Sequence, residues 1–192
     1  PPAPIEVLET EVFSLGDDRY DLVAKVRNPN QFMTVLSLTY QFTDGDFSGQ
    51  TLTSFILPNE EKYIFELGAS SQNQINLIDV EIKDIRWLRV GSVMPPQEYE
   101  AFQQNHLNFE FKDIVFTPAR DTEISEKLPI SKSAFSIVNQ TGYSYYNMGL
   151  VVGLYNYETL VGINYVVLDS FVPSQERQVE INWTQNLPRA SE

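Results

Sequence analysis

The sequence predicts an all-β protein: two tandem immunoglobulin-like antiparallel β-sandwiches joined by a short, partly helical linker. Three observations carry this expectation. Apolar and polar residues alternate with period two along most of the 192 residues, the mark of half-buried strands. Gly, Pro, Asn and Asp clusters cut that alternation into short runs. Landmarks of the first half also recur in the second at nearly constant offsets, which is the signature of internal duplication.

The series opens with Ile5-Glu6-Val7-Leu8-Glu9 and continues with Arg19 to Arg27, closed by the turn formers Asn28-Pro29-Asn30. Val35 to Phe42 follows, and strict alternation places Leu36, Leu38, Tyr40 and Phe42 on one face before Asp44-Gly45-Asp46 breaks the strand. Thr51 to Leu57 and Tyr63 to Leu67 are separated by Pro58-Asn59-Glu60-Glu61, and Val80 to Val90 alternates over a longer stretch. Pro95 and Pro96 stand at a possible helix start, with helix formers running on to Phe102, so one or two helical turns are expected in the linker.

In the second half, Asn139-Gln140-Thr141 corresponds to Asn28-Pro29-Asn30. Val152-Gly153-Leu154-Tyr155-Asn156 corresponds to Tyr40-Gln41-Phe42-Thr43-Asp44, and Val172-Pro173 to Leu57-Pro58. The offsets are 111, 112 and 115 residues. The expected boundaries are therefore residues 1–91 and 106–192 for the two sandwiches, with 92–105 as linker. After Arg177 to Trp183 the second half has no counterpart of Val80 to Val90. The expectation is that the sequence stops before that domain's natural end or leaves an open sheet edge.

Composition bounds the functions. Hydrophobic residues make up 42% of the chain, with twelve Phe, ten Tyr and two Trp, enough for packed cores. The net charge of −13 sets up a field that repels phosphates, arguing against nucleic acid and against direct binding to anionic membrane surfaces. There is no Cys and one His, His106, so thiol chemistry and His or Cys metal clusters are excluded. His106 lies in a polar stretch and reads as a solvated linker residue. Without a nucleophile elbow, phosphate loop or metal-ligand spacing, the chain is expected not to be an enzyme and to have no cofactor.

A strand ending in Asn, a turn, a strand ending in aromatic-x-Asp/Asn and a Pro-led turn resemble FxLYD-type domains. The closest segment is Val152 to Asn156, with Tyr40 to Asp44 a looser match. The same layout is similar to the WHy-type domains of late-embryogenesis-abundant proteins. The resemblance covers about half of each repeat, and it implies an immunoglobulin-like sandwich and a non-catalytic role. With the opening Pro1-Pro2-Ala3-Pro4 read as the end of a stiff spacer, it also implies the extracytoplasmic part of an acidic bacterial protein. Such a protein would be held by an N-terminal membrane anchor, with a protein or cell-envelope component as partner.

Two constellations are candidate sites. Asp17, Asp18, Asp44 and Asp46, with the polar stretch Ser70 to Asn73, would gather at one sandwich tip, where carboxylates on adjacent loops can supply the oxygen shell of Ca²⁺. The counterpart tip of the second half has Asp121, Glu123 and Glu158. Ordinary turn chemistry explains the same acids. Of the tyrosines crowding the second half, Tyr143, Tyr145 and Tyr157 lie nearest turns and form the expected binding surface, with carbohydrate as one ligand class. Tyr155 and Tyr165 are assigned to the core, as are Trp87 and Trp183.

Overall fold

A computed structural model describes residues 1–92, 94–119 and 130–184. The chain is all-β, with one α-helix among the described residues, and divides into two compact units, Pro1–Tyr99 and Glu100–Glu192.

In the first unit, β1 (Glu6–Gly16) and β2 (Arg19–Arg27) form a hairpin, and β2 also pairs with β6 (Glu61–Ser70), giving the order β1-β2-β6. The opposing sheet is built on β3 (Met33–Asp44), which pairs with the two-residue β4 (Phe47–Ser48), with β5 (Leu52–Ile56) and with β7 (Asp79–Arg89). All of these pairings are antiparallel. Leu22, Ala24 and Val26 from one sheet meet Val35, Leu38, Tyr40, Phe42 and Ile56 from the other in a single buried cluster, so the unit is sandwich-like. Half-buried Trp87 packs on that cluster.

Leu36 corrects the simple alternation. The β3–β7 register slips between Val35 and Ser37, so Leu36 sits in a β-bulge and is 44% exposed, while Val35 takes its place in the core. A second bulge, between Tyr20 and Leu22, lies opposite Gly68, whose φ of +69° favours glycine and where a Cβ would lie 2.5 Å from the Arg19 guanidinium. The buried Asp21 carboxylate accepts the Gly68 N–H at 2.9 Å, satisfying a donor that the bulge removes from the ladder. The opening residues are tied down, because Asn30 accepts the Ala3 N–H and donates to the Ala3 carbonyl, at 2.8 and 2.9 Å.

The helix α1 (Pro96–His106) spans the expected linker. In the second unit β8 (Phe109–Thr117), β9 (Ser131–Asn139) and β12 (Glu176–Trp183) form a sheet with β9 in the middle. Opposite it stands the hairpin of β10 (Met148–Asn156) and β11 (Thr159–Leu168). Their core holds Phe135, Ile137, Phe171, Val179, Ile181 and Trp183, whose indole N–H donates to Ser133 Oγ at 2.8 Å. Strand for strand, β8, β9, β10, β11 and β12 repeat β1, β2, β3, β5 and β6. The short β4 and the long β7 have no match among the described residues, where β10 pairs with β11 alone. Residues 185–192, which follow β12, lie outside the described set.

The units also share one side-chain device. Asn28 and Asn139 are both fully buried. The Asn28 amide donates to the carbonyls of Met33 and Leu57, at 2.7 and 3.0 Å, and its oxygen accepts the Asn30 N–H. Asn139 donates to Tyr143 and Phe171 carbonyls at 2.8 and 3.2 Å and accepts the Thr141 N–H at 2.9 Å. The Pro-led turn matches as well: Glu60 Oε2 accepts the Leu57 N–H and Gln175 Oε1 accepts the Val172 N–H. Asn59 and Ser174 take the left-handed turn position, at φ of 55° and 61°.

Candidate functional site

The β1–β2 connection is a tight hairpin turn in which Gly16, Asp17 and Asp18 all have positive φ, at 81°, 51° and 57°, as the right-handed twist of the flanking strands requires. Ser71, just past β6, donates its N–H to the Asp18 carbonyl at 2.9 Å, so the following segment is laced to this turn. The lacing continues locally. Ser71 Oγ donates to the Asn73 carbonyl, and Gln74 Nε2 donates to Asn76 Oδ1 at 3.0 Å.

Between turn and segment lies a pocket of about 520 Å³. Ser14, Asp18, Gln72, Gln74 and Asn76 supply its polar wall. Val12, Tyr20 and Ile75 supply the apolar part, and Tyr20 and Ile75 are buried core residues, so the base of the pocket is the end of the hydrophobic core itself. The register explains the convergence. Ser14 stands directly opposite Tyr20 and Val12 opposite Leu22, so all four point to the core face where the two sheets part. Three carboxamides, a hydroxyl and one carboxylate provide both donors and acceptors, and no Lys or Arg is among the described residues that line the space. Neutral hydroxyl-bearing molecules match this lining, whereas an anionic ligand would find no counter-charge in it.

Asp18 belongs to the expected calcium tip, whose acids Asp17, Asp18, Asp44 and Asp46 are divided between two turns. Asp17 and Asp18 occupy the β1–β2 turn, while Asp44 ends β3 and Asp46 follows Gly45 in the β3–β4 turn. Among the described residues, no group of three or more His, Cys, Asp or Glu is arranged to hold a metal ion. Asp17 and Asp18 hold left-handed turn positions, which Asp tolerates better than most residues, whereas in the β3–β4 turn that position is taken by Gly45. Asp121 and Glu123 lie outside the described residues, and Glu158 sits in the β10–β11 turn.

The tyrosines also depart from expectation. Tyr143 is 47% exposed, but its ring stacks on His106 at 4.0 Å between centroids, and His106 stacks on Phe102 at 3.9 Å. His106 is therefore the middle of a three-ring stack rather than a solvated linker residue, with Nδ1 at 2.8 Å from the Phe102 carbonyl one helical turn back. Tyr145 is half-buried: it bridges Phe171 through the backbone, sets its ring against Phe109 and donates its hydroxyl to the His106 carbonyl. Tyr157, 82% exposed, occupies the turn after β10, about 25 Å along the strand from Tyr145. The three do not share one patch. Tyr155 and Tyr165, assigned to the core, instead lie on the outer face of the hairpin at 48% and 43% exposure. The reason is glycine: a Cβ on Gly149 would lie 2.3 Å from the Tyr165 hydroxyl oxygen, and one on Gly153 2.9 Å from the Tyr155 ring, so these rings lie down over bare backbone.

Gln74, Asn76 and the inward-facing Ser14 are the site residues that the sequence reading missed. The polar run Ser70 to Asn73 marked the region, but Ser14 reaches it only through the pairing of β1 with β2. No protein-family model matches the chain, and no curated protein matches it either.

Proposed function

We propose that the chain is a non-enzymatic, extracytoplasmic binding module whose first unit holds a neutral, hydroxyl-rich ligand of the carbohydrate class. The pocket at the β1–β2 tip carries this reading: Gln72, Gln74, Asn76, Ser14 and Asp18 surround the exposed end of an apolar core. Sugar hydroxyls pair well with carboxamides and a carboxylate, each of which accepts or donates in fixed directions. An apolar base suits the C–H faces of a sugar ring. A hydrolase of glycosides needs two carboxyl groups flanking the bond, and Asp18 is the single acid among the lining residues, which favours binding over cleavage. The cell-envelope partner inferred from the sequence is on this reading a glycan.

The immunoglobulin-type assignment and the resemblance to FxLYD-type and WHy-type domains belong to the same proposal. Their support is the repeated strand order and the paired Asn28 and Asn139 networks. The extracytoplasmic, membrane-anchored placement rests on that resemblance and on the Pro-rich opening.

Saturation-transfer NMR of the whole chain with a panel of mono- and disaccharides tests the reading. Transfer to at least one sugar is expected, with an affinity on the order of 1 mM to 1 μM, and Gln74→Ala with Asn76→Ala should abolish it while leaving the melting temperature nearly unchanged. No transfer to any sugar, or transfer that survives the double substitution, overturns it.

A further inference from the structure

The pocket at the β1–β2 tip has two polar walls and an apolar floor. Asp18 stands on the turn side. Among the described residues its carboxylate has neither a hydrogen bond nor an ion pair, so both oxygens are available as acceptors. On the side of the segment after β6, Gln74 and Asn76 bracket Ile75. Ile75 and Ile78 are each 4% exposed and pin this segment into the core, which holds the two carboxamides at the rim. Gln74 Nε2 donates to Asn76 Oδ1 at 3.0 Å, and that bond decides what each amide has left to offer. Asn76 keeps its Nδ2 hydrogens and Gln74 its Oε1. Val12, Tyr20 and Ile75 form the floor between the walls.

An acetamido group has the matching anatomy. It is a planar trans amide, so its N–H and C=O point in opposite directions, and its methyl lies at the end remote from the carbon that carries the nitrogen. With the methyl on the apolar floor, the N–H donates to Asp18 on one wall and the C=O accepts from Asn76 Nδ2 on the other. The sugar ring then stays at the rim beside Ser14, Gln72 and Gln74. A plain hydroxyl in the same place reaches one wall and leaves the floor facing water. A free amino group satisfies Asp18 but brings no methyl to the floor and no acceptor to Asn76.

We propose that this pocket selects N-acetylated amino sugars over the parent hexoses, with Asp18 and Asn76 as the specificity-determining residues. Such selectivity presupposes the carbohydrate reading of the pocket and narrows it to one class of sugar.

Saturation-transfer NMR and shift titrations of the whole chain with the methyl β-glycosides of N-acetylglucosamine, glucosamine and glucose read the result. The strongest transfer is expected at the acetyl methyl. One added hydrogen bond and one buried methyl should make the N-acetylated sugar bind about twentyfold tighter than the glucoside. Asp18→Gly, which a φ of 57° accommodates, should cut that preference to about fourfold, the share of the methyl. Asp17→Gly lies in the same turn and removes the same charge, but Asp17 is not among the lining residues named, so the preference should persist. Melting temperatures check that both variants fold. Glucoside or glucosaminide binding as tight as that of the N-acetylated sugar overturns the proposal and leaves the carbohydrate reading standing, as does a preference that Asp18→Gly leaves whole. Binding by none of the three also overturns it, and if no sugar of the wider panel binds, the carbohydrate reading falls with it.

Discussion

Replacing Asn139 by alanine removes one carboxamide from the centre of the second unit's loop end. The side chain is fully buried and makes four hydrogen bonds: from Nδ2 to the Tyr143 and Phe171 carbonyls, and at Oδ1 from the N–H and the hydroxyl of Thr141. A net hydrogen bond is worth about 1 kcal/mol, and buried groups left unpaired cost more, which sets an upper figure of roughly 4 kcal/mol. Part is recovered, because the Thr141 hydroxyl already lies 3.3 Å from the Tyr143 carbonyl and can turn fully towards it. The expected loss is about 2–3 kcal/mol, or a melting temperature lower by roughly 10–20 °C in a domain of this size. Guanidinium unfolding followed by tryptophan fluorescence measures it, with Gln140→Ala as reference. Gln140 is exposed and holds Glu110 at 2.7 Å, so its loss should cost under about 0.5 kcal/mol. If the two variants unfold at the same midpoint, the reasoning about the buried amide is wrong. Asn28→Ala should destabilise the first unit by a similar amount, because its amide has the same kind of partners.

Further expectations follow from single side chains. Burial holds the Glu66 carboxyl above its ordinary value of 4.5, opposed by the bond it accepts from the Gln50 N–H. A carboxyl raised in this way binds its proton more tightly folded than unfolded. Its contribution is therefore most favourable below pH 4.5 and is lost as pH rises through the folded value. Glu66→Gln should raise stability at neutral pH and flatten that part of the profile; a variant no more stable than the parent at neutral pH would contradict this. Tyr40 donates to the Phe65 carbonyl at 3.0 Å and burial pushes its phenol up to about 12, so Tyr40→Phe should cost roughly 1 kcal/mol and abolish the high-pH titration of one tyrosine by ultraviolet absorbance. His106→Ala breaks the stack between Phe102 and Tyr143, at about 1–2 kcal/mol. Faster hydrogen exchange in the last turn of α1 should accompany it, and unchanged exchange would show that the stack does not hold the helix end.

The strands were legible because alternation and turn residues are local signals. Arg19–Arg27 coincides with its predicted run, and α1 begins at one of the two prolines that marked it. What stayed hidden depends on register or on distant partners. Leu36 leaves the core through a bulge that no alternation pattern contains, and Tyr155 and Tyr165 turn outward because glycines make a bed for their rings. His106 gains its role from Tyr143, which α1 alone could not announce. The acids of the calcium reading are divided between two turns, and among the described residues they form no group of three or more arranged to hold a metal ion. Asn28 and Asn139 were visible as aligned landmarks, but their burial was not, since an Asn at a strand end is usually a surface turn former.

The two buried asparagines also bear on the order of folding. Each amide joins its own strand end to the loop that follows it and to a residue near the Pro-led turn, 29 residues on for Asn28 and 32 for Asn139. Such a clasp closes only after hairpins on both sides have formed and the sheets have met, so it should be largely absent from the transition state. Removing it is then expected to speed unfolding while leaving the refolding rate almost untouched. The clasp acts as a lock on a finished sandwich, lengthening the life of the native state instead of guiding the chain towards it.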